Sequence, residues 1–265
     1  FLSQRSQIAH RALVQLRITV WQWPNFLKGG VSMLEIPMNE KFPKNKEERD
    51  RQDFIDDMDL EYFRAKSKME IEHLKFHAVE PLTSGIFPIS QKVSVFSDLP
   101  YGKIGTIGEA GCGPLALEYA LRANGIQVDF EELVREIAHK GYRAYLYNIQ
   151  GNIIDGCGTE YCLFDNFGYR LNSVSQVIRE LEAKSMICTL VQNSIYRRNV
   201  NAKGRHFVNL IGIDRAQNAI IMDGNLIWDE RYPDEAIKKI PVKEFASAIR
   251  AAWVWDKRKM EGLVK

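Results

Sequence analysis

The spacing of apolar positions changes twice along this chain. Residues 1–28 carry the pattern of a short amphipathic helix that ends near Pro24. Over residues 39–78 charge is dense, and Phe54, Ile55, Met58, Tyr62 and Phe63 recur at roughly helical intervals. That period predicts an amphipathic helix lying solvated against the main domain or a partner. From Pro81, Ser84, Gly85 and Pro88 onward the pattern becomes that of a packed domain. Helices are predicted over 113–123, closed by Asn124-Gly125, over 129–139, opening on Asp129 as a cap, and over 173–184. Runs rich in β-branched and aromatic residues then predict strands at 186–192, 206–214, 219–224 and 251–256. The stretch HFVNLIGIDRAQNAIIMDG reads as a hairpin turning at Arg215–Asn218. Helices first and strands afterwards predict an α+β fold with an antiparallel sheet.

Three segments follow from this pattern: a charged helical extension at 1–85, a domain at 86–256 and a short tail at 257–265. With 265 residues, 45% hydrophobic and 26% charged, the chain has room for one large domain or a smaller one with an extension. A net charge of +2 gives no electrostatic case for nucleic acid. No apolar run approaches the roughly 18 residues of a membrane span. Four cysteines are too few for a disulfide-built scaffold and fit a reducing compartment, so a cytoplasmic location is expected. The first residues mix Arg5, Arg11 and Arg17 with apolar side chains and lack the compact apolar centre of a signal peptide. The chain begins at Phe1, and LKGGVSM is what an in-frame ribosome-binding site would encode, so Met33 is expected to be the native start and 1–32 to precede it.

The candidate chemistry lies at YGKIGTIGEAGCGPLALEYALRANG, residues 101–125, where a glycine-rich loop turns into a helix around Cys112. A buried cysteine is ordinary packing, but a helix N-terminus also favours a thiolate. Gly111 and Gly113 would leave room for a substrate carbonyl, and Pro114 suits the first helical turn. The Cys112 N–H is then a natural oxyanion donor. A cysteine nucleophile also needs a base and a group to orient that base. Of the histidines, His10, His73 and His77 fall in the charged N-terminal region and His139 ends a helix. His206 opens a strand after the flexible NAKGR, which favours it as base; a core histidine with a satisfied ring is an equally good reading of that residue alone. Asp223 ends the returning strand of the hairpin and so lies nearer His206 than Asp214, which sits at the turn. The DG pair also accounts for Asp223 as a turn former.

The segments ISQ…DLPYGKIGTIGEAGCGPLALEYALRANG, GYR…GCGTEYCLFDNFGYR and GRHFVNLIGID…IIMDGN resemble bacterial papain-like proteins of cysteine-peptidase family 39. These are relatives of the peptidase domains that trim double-glycine leaders from bacteriocins. The resemblance spans about residues 86–256. It implies a papain-like fold and a Cys-His-Asp triad, which fall on Cys112, His206 and Asp223. It also implies a glutamine completing the oxyanion hole, and the segment PISQ makes Gln91 that residue. Two positions depart from the family pattern. Leu115 stands where a small residue or threonine is usual, and Gly224 follows the aspartate where proline is usual.

Cys157 and Cys162 have half the spacing of a metal site, but no second Cys/His pair follows, so no metal and no cofactor are expected. Cys188, in an apolar strand, reads as core. The expected function is a cysteine peptidase acting on a peptide or protein substrate. Two alternatives stand beside it: an acyltransferase using the same triad, and a non-catalytic module in which the charged helix docks a partner or a second copy.

Overall fold

A computed structural model describes residues 46–81, 89–92, 94–147, 150–158, 160–202, 204–226, 237–256 and 258–259. The expected helix at 1–28, the start at Met33, and His10 lie outside the described residues, as does most of the tail from 257. All described residues belong to one compact unit within Ser32–Lys265.

The unit is built on a six-stranded antiparallel sheet of order β3-β8-β4-β5-β6-β7. Its strands are β3 (Gly168–Leu171), β4 (Ile187–Gln192), β5 (Arg205–Ile213), β6 (Asn218–Met222), β7 (Ile237–Pro241) and β8 (Ile249–Trp255). A separate two-stranded ribbon pairs β1 (Arg143–Tyr147) with β2 (Ile153–Gly158). The main helices are α1 (Lys46–Ile71), α2 (Cys112–Ala123), α3 (Phe130–His139), α4 (Glu160–Phe167), α5 (Val174–Glu182) and α6 (Val242–Ala248). The expected α+β architecture with an antiparallel sheet is therefore present. The predicted hairpin also forms, pairing Ile213 with Ala219 and Asn209 with Met222 around an irregularity between Leu210 and Gly212.

Two of the predicted helices of the domain start on a side-chain cap. Asp129 accepts the Glu132 N–H at 2.9 Å to cap α3, and Ser173 accepts the Gln176 N–H at 3.3 Å to cap α5. The centre of the sheet is buried on both faces, which is why β4 reads as a continuous apolar run rather than an alternating one. One core holds Leu117, Leu121, Phe164, Phe207, Ile211 and Trp253. Its aromatic centre is built on edge-to-face contacts, with Phe164 4.8 Å from Phe207 and 5.4 Å from Trp253 between ring centroids. The other core holds Val177, Leu181, Val208, Leu210, Ile221 and Phe245.

Helix α1 lies against this second core through Phe63 and Ile71, and Val79 extends the attachment by an antiparallel bridge to Ile213. The apolar positions that predicted the helix prove to occupy two faces. Phe63 is buried, with Leu60 beside it, whereas Met58 and Tyr62 point into solvent. The side chains of Phe54 and Ile55 are outside the described residues.

Candidate active site

Helix α2 is set up by the one-turn helix Ile107–Ala110 immediately before it. Thr106 and Glu109 close that turn as a capping box, with the Thr106 N–H donating to Glu109 Oε2 at 3.0 Å. Gly111 joins the two helices. A Cβ there would come within 2.6 Å of the Ile107 carbonyl oxygen, so only glycine lets the segments abut. The expectation that Gly111 clears space for a substrate is thus corrected: its missing side chain faces the preceding turn. Cys112 follows as the first residue of α2, half-exposed and a free thiol. The first N–H groups of a helix have no partner within it, so the Cys112 N–H is placed to receive an anion. The body of α2 is anchored on the sheet where Asn209 donates its amide to the Ala116 carbonyl at 3.0 Å.

His206 lies in β5 and Asp223 directly after β6, both about 95% buried. His206 Nε2 is 2.6 Å from Asp223 Oδ1. The thiol of Cys112 also acts on this imidazole, and because Nε2 is committed to Asp223 the other ring nitrogen is Nδ1. Burial pulls the imidazole pKa down, but the charge and hydrogen bond of Asp223, with the contact to Cys112, outweigh it and push it up to about 10. Burial would likewise raise the Asp223 carboxyl. His206, the Asn225 N–H and Tyr196 together hold it below the usual range instead. Asp214 lies at the hairpin's turn end, where it accepts the Asn218 N–H at 2.9 Å. His139 ends α3 and belongs to no part of this cluster.

Gln91 is buried beside these residues. Its side-chain amide donates to the Gly108 carbonyl at 3.1 Å, in the turn that leads to Cys112. Its backbone N–H donates to the Gly224 carbonyl at 2.5 Å, one residue beyond Asp223. Ser90 Oγ fixes the same segment by donating to the Leu226 carbonyl at 2.5 Å. A side-chain amide has two N–H groups, so one remains after the bond to Gly108.

Two residues outside the sequence-based set belong to this neighbourhood. Tyr196, on the one-turn helix Asn193–Tyr196, donates its phenolic O–H to Asp223 Oδ2 at 2.8 Å. Its ring lies 6.0 Å from the His206 ring, and Lys238 Nζ sits 4.0 Å from its centroid. Glu118, fully buried on α2, pairs with Arg122, and the backbone of Ile89, two residues before Gln91, also acts on its carboxyl. Burial dominates Glu118 and pushes its pKa up to about 7, against the pull of Arg122 and Ile89. A charged residue within an apolar helical run was the available signal for Glu118. Tyr196 had none, because its relation to Asp223 exists only across the sheet.

A model of the Peptidase_C39 like family matches residues 86–258. The chain belongs to this family. Its α+β fold is the papain-like one, and the family is one of cysteine peptidases. No curated protein matches the chain. Among solved structures, the chain is similar to a protein from Bacillus anthracis provisionally described as a C39-like peptidase. That match has 17% identity and a TM-score of 0.44, and covers 68% of this chain and 98% of the other. The two departures from the C39-like pattern meet in space: a Cβ at Gly224 would lie 3.0 Å from Leu115 Cδ1 and 3.1 Å from its Cβ. Leu115 thus fills the space that Gly224 leaves open.

Among the described residues no group of three His, Cys, Asp or Glu side chains is arranged to hold a metal ion. The side chains of Cys157, in β2, and Cys162, in α4, are outside the described residues. Cys188 is buried in β4 as core. No described helix is long and apolar enough to cross a membrane.

Proposed function

We propose that this C39-like chain cleaves peptide bonds with Cys112 as nucleophile, His206 as proton shuttle and Asp223 as the group that orients the imidazole. One observation carries the reading: a buried imidazole whose Nε2 lies 2.6 Å from the Asp223 carboxylate and on which the Cys112 thiol also acts. Asp223 accepts from Nε2–H, which fixes the tautomer and leaves Nδ1 to take the thiol proton. The Cys112 thiolate attacks the scissile carbonyl carbon, and the carbonyl oxygen becomes an oxyanion. The Cys112 N–H and the remaining Gln91 amide N–H are the donors for that oxyanion. The imidazolium then gives its proton to the leaving amine, and a thioester on Cys112 remains. His206 next takes a proton from water, whose oxygen attacks the thioester and releases the acid and the free thiol.

The substrate is a peptide or protein, and a double-glycine leader is one sequence to include in the assay. We further assign the charged helix α1 to docking, and a reducing compartment such as the cytoplasm as the setting that keeps Cys112 a free thiol. The test is peptide hydrolysis alongside labelling by a thiol-directed active-site probe. Cys112→Ala and His206→Ala should each abolish turnover, and labelled peptides should map to Cys112. Label on another cysteine, or full turnover by Cys112→Ala, would overturn the assignment. An added amine that diverts product from acid to amide would reassign the chain as an acyltransferase on the same residues. A folded chain with neither labelling nor turnover would leave the docking role alone.

A further inference from the structure

The outer face of α1 carries a pattern that its packing on the domain does not use. Leu60, Phe63, Ser67 and Ile71 are buried on the inner face. Met58, Tyr62, Ala65 and Met69 run along the opposite face and are exposed, Met58 at 58%, Tyr62 at 64% and Met69 at 77%. Their spacing is four, three and four residues, the alternation of a coiled-coil seam. A row of exposed large apolar side chains at that spacing marks an interaction surface rather than scattered exposure. Their flanks are charged, and asymmetrically so: Asp59 and Glu61 lie toward the N-terminal end, Lys66 and Lys68 toward the C-terminal end.

We propose that this face pairs antiparallel with the same face of a second copy of the chain. The proposal names the partner for the docking role given to α1 above and does not depend on the catalytic reading. In a heptad frame Met58 and Ala65 occupy d positions, and Tyr62 and Met69 occupy a positions. An antiparallel alignment about the midpoint of Tyr62 and Ala65 sets each Tyr62 over the partner's Ala65 and each Met58 against the partner's Met69. Large then meets small at the centre, and two adaptable thioethers meet at each end. The same alignment brings Asp59 beside the partner's Lys66 and Glu61 beside the partner's Lys68. By symmetry this makes four opposite-charge pairs. A parallel alignment would stack tyrosine on tyrosine and alanine on alanine, and would retain only the Glu61 to Lys66 pairs. The existing bonds of these carboxylates are weak competitors. Asp59 lies 3.4 Å from Arg170 and Glu61 3.4 Å from Arg64, both on exposed side chains. A second copy is favoured over an unrelated partner because the surface is complementary to itself once reversed.

The experiment uses two charge variants of the full chain in sedimentation equilibrium. One carries Asp59→Lys and Glu61→Lys, the other Lys66→Glu and Lys68→Glu. The unmodified chain should associate reversibly, its apparent mass rising with concentration toward twice that of one chain. Each variant alone should remain at the mass of one chain, and an equimolar mixture should regain the doubled mass. Orientation is read by disulfide trapping. A mixture of Met58→Cys and Met69→Cys chains should cross-link, while Met58→Cys alone should not, because those residues lie about 16 Å apart along an antiparallel pair. An unmodified chain that is monomeric at all concentrations, a mixture that does not regain the dimer, or cross-linking of Met58→Cys alone would each overturn the proposal. Peptidase activity and circular dichroism of the variants should be unchanged. A loss of activity in Cys112→Ala with dimerisation intact keeps the two proposals separately testable.

Discussion

Tyr196 and His206 bind different oxygens of Asp223 and divide its carboxylate between them. The phenol donates to Oδ2 at 2.8 Å, and the imidazole nitrogen lies 2.6 Å from Oδ1. A carboxylate held at both oxygens cannot rotate, so the plane of the His206 ring is fixed through it. Tyr196→Phe should therefore keep the packing against Phe245 but free one carboxylate oxygen in a buried place. Stability should fall by about 1–3 kcal/mol, the cost of an unsatisfied buried acceptor. Turnover should fall by roughly tenfold with KM little changed, since in the proposed mechanism the lost bond orients a reacting group rather than binding substrate. Equal activity of Tyr196→Phe and the parent enzyme would show that Asn225 and His206 suffice to hold Asp223.

The His206–Asp223 pair should shape stability at both ends of the pH scale. The imidazole pKa is raised from 6.5 to about 10 in the folded chain. Its contribution is fully present below pH 6.5 and is lost as pH rises through about 10. The Asp223 carboxyl is depressed, so the same interaction is present above about pH 4 and is lost as pH falls through the lower folded value. The stability difference between the unmodified chain and Asp223→Asn should be greatest between about pH 4 and 6.5. Urea unfolding midpoints measured from pH 3 to 10 provide the check. A difference that stays constant across that range would mean the pair is not charged in the folded state.

Much of this site was legible because its parts announce themselves locally. A glycine-framed cysteine entering a helix, a histidine opening a strand and an aspartate closing the next strand each left a pattern within a few residues. The hairpin register, read from alternation and the turn, then brought His206 and Asp223 together. Tyr196, Glu118 and the inward and outward division of α1 were not legible, because they depend on which distant surface each residue meets. Gly111 shows the same limit from the other side. Its glycine was visible, but its cause is a carbonyl in the preceding turn rather than a substrate. Strands β1, β2, β3 and β7 are short or carry charged residues, and their pairing comes from neighbours rather than from their own alternation.

The contact between Leu115 and Gly224 predicts that the two positions are coupled. Gly224→Ala would bring a methyl group to about the limit of close contact with Leu115, and would push on the chain beside Asp223 and Gln91. Overpacking of this kind should cost about 1–3 kcal/mol. Leu115→Ala should cost about 2–5 kcal/mol by emptying a buried site. In the double variant the alanine at 224 gains the space that Leu115 vacates, so the combined loss should be smaller than the two added by at least 0.5 kcal/mol, about the threshold for contacting residues. A double-mutant cycle in urea decides it, and simple additivity would show that the surrounding backbone relaxes independently at each site.

Glu118 links the stability of the central helix to the placement of Gln91. Its carboxyl is fully buried and pairs with Arg122, and the backbone of Ile89, at the start of the segment that carries Gln91, helps to lower its pKa. Burial raises its pKa from 4.5 to about 7, so the folded chain prefers the protonated acid. For a raised carboxyl the sign is opposite to that of Asp223. Stability is highest below pH 4.5, falls as pH rises toward 7 and is level beyond it, by an amount on the order of 3 kcal/mol. Glu118→Gln keeps the size and polarity of the side chain without the charge, and Arg122 is exposed enough at 30% to find water. This variant should lose the pH-dependent step, becoming relatively more stable above pH 7 while keeping most of its turnover. Glu118→Ala empties a fully buried site next to the segment that carries Gln91, and should lower turnover by loosening that segment. Combined with Gln91→Ala, it should add little further loss in turnover, because the effect of Glu118 on the reaction runs through that amide. Full additivity of the two losses would show that Glu118 supports the helix and not the glutamine.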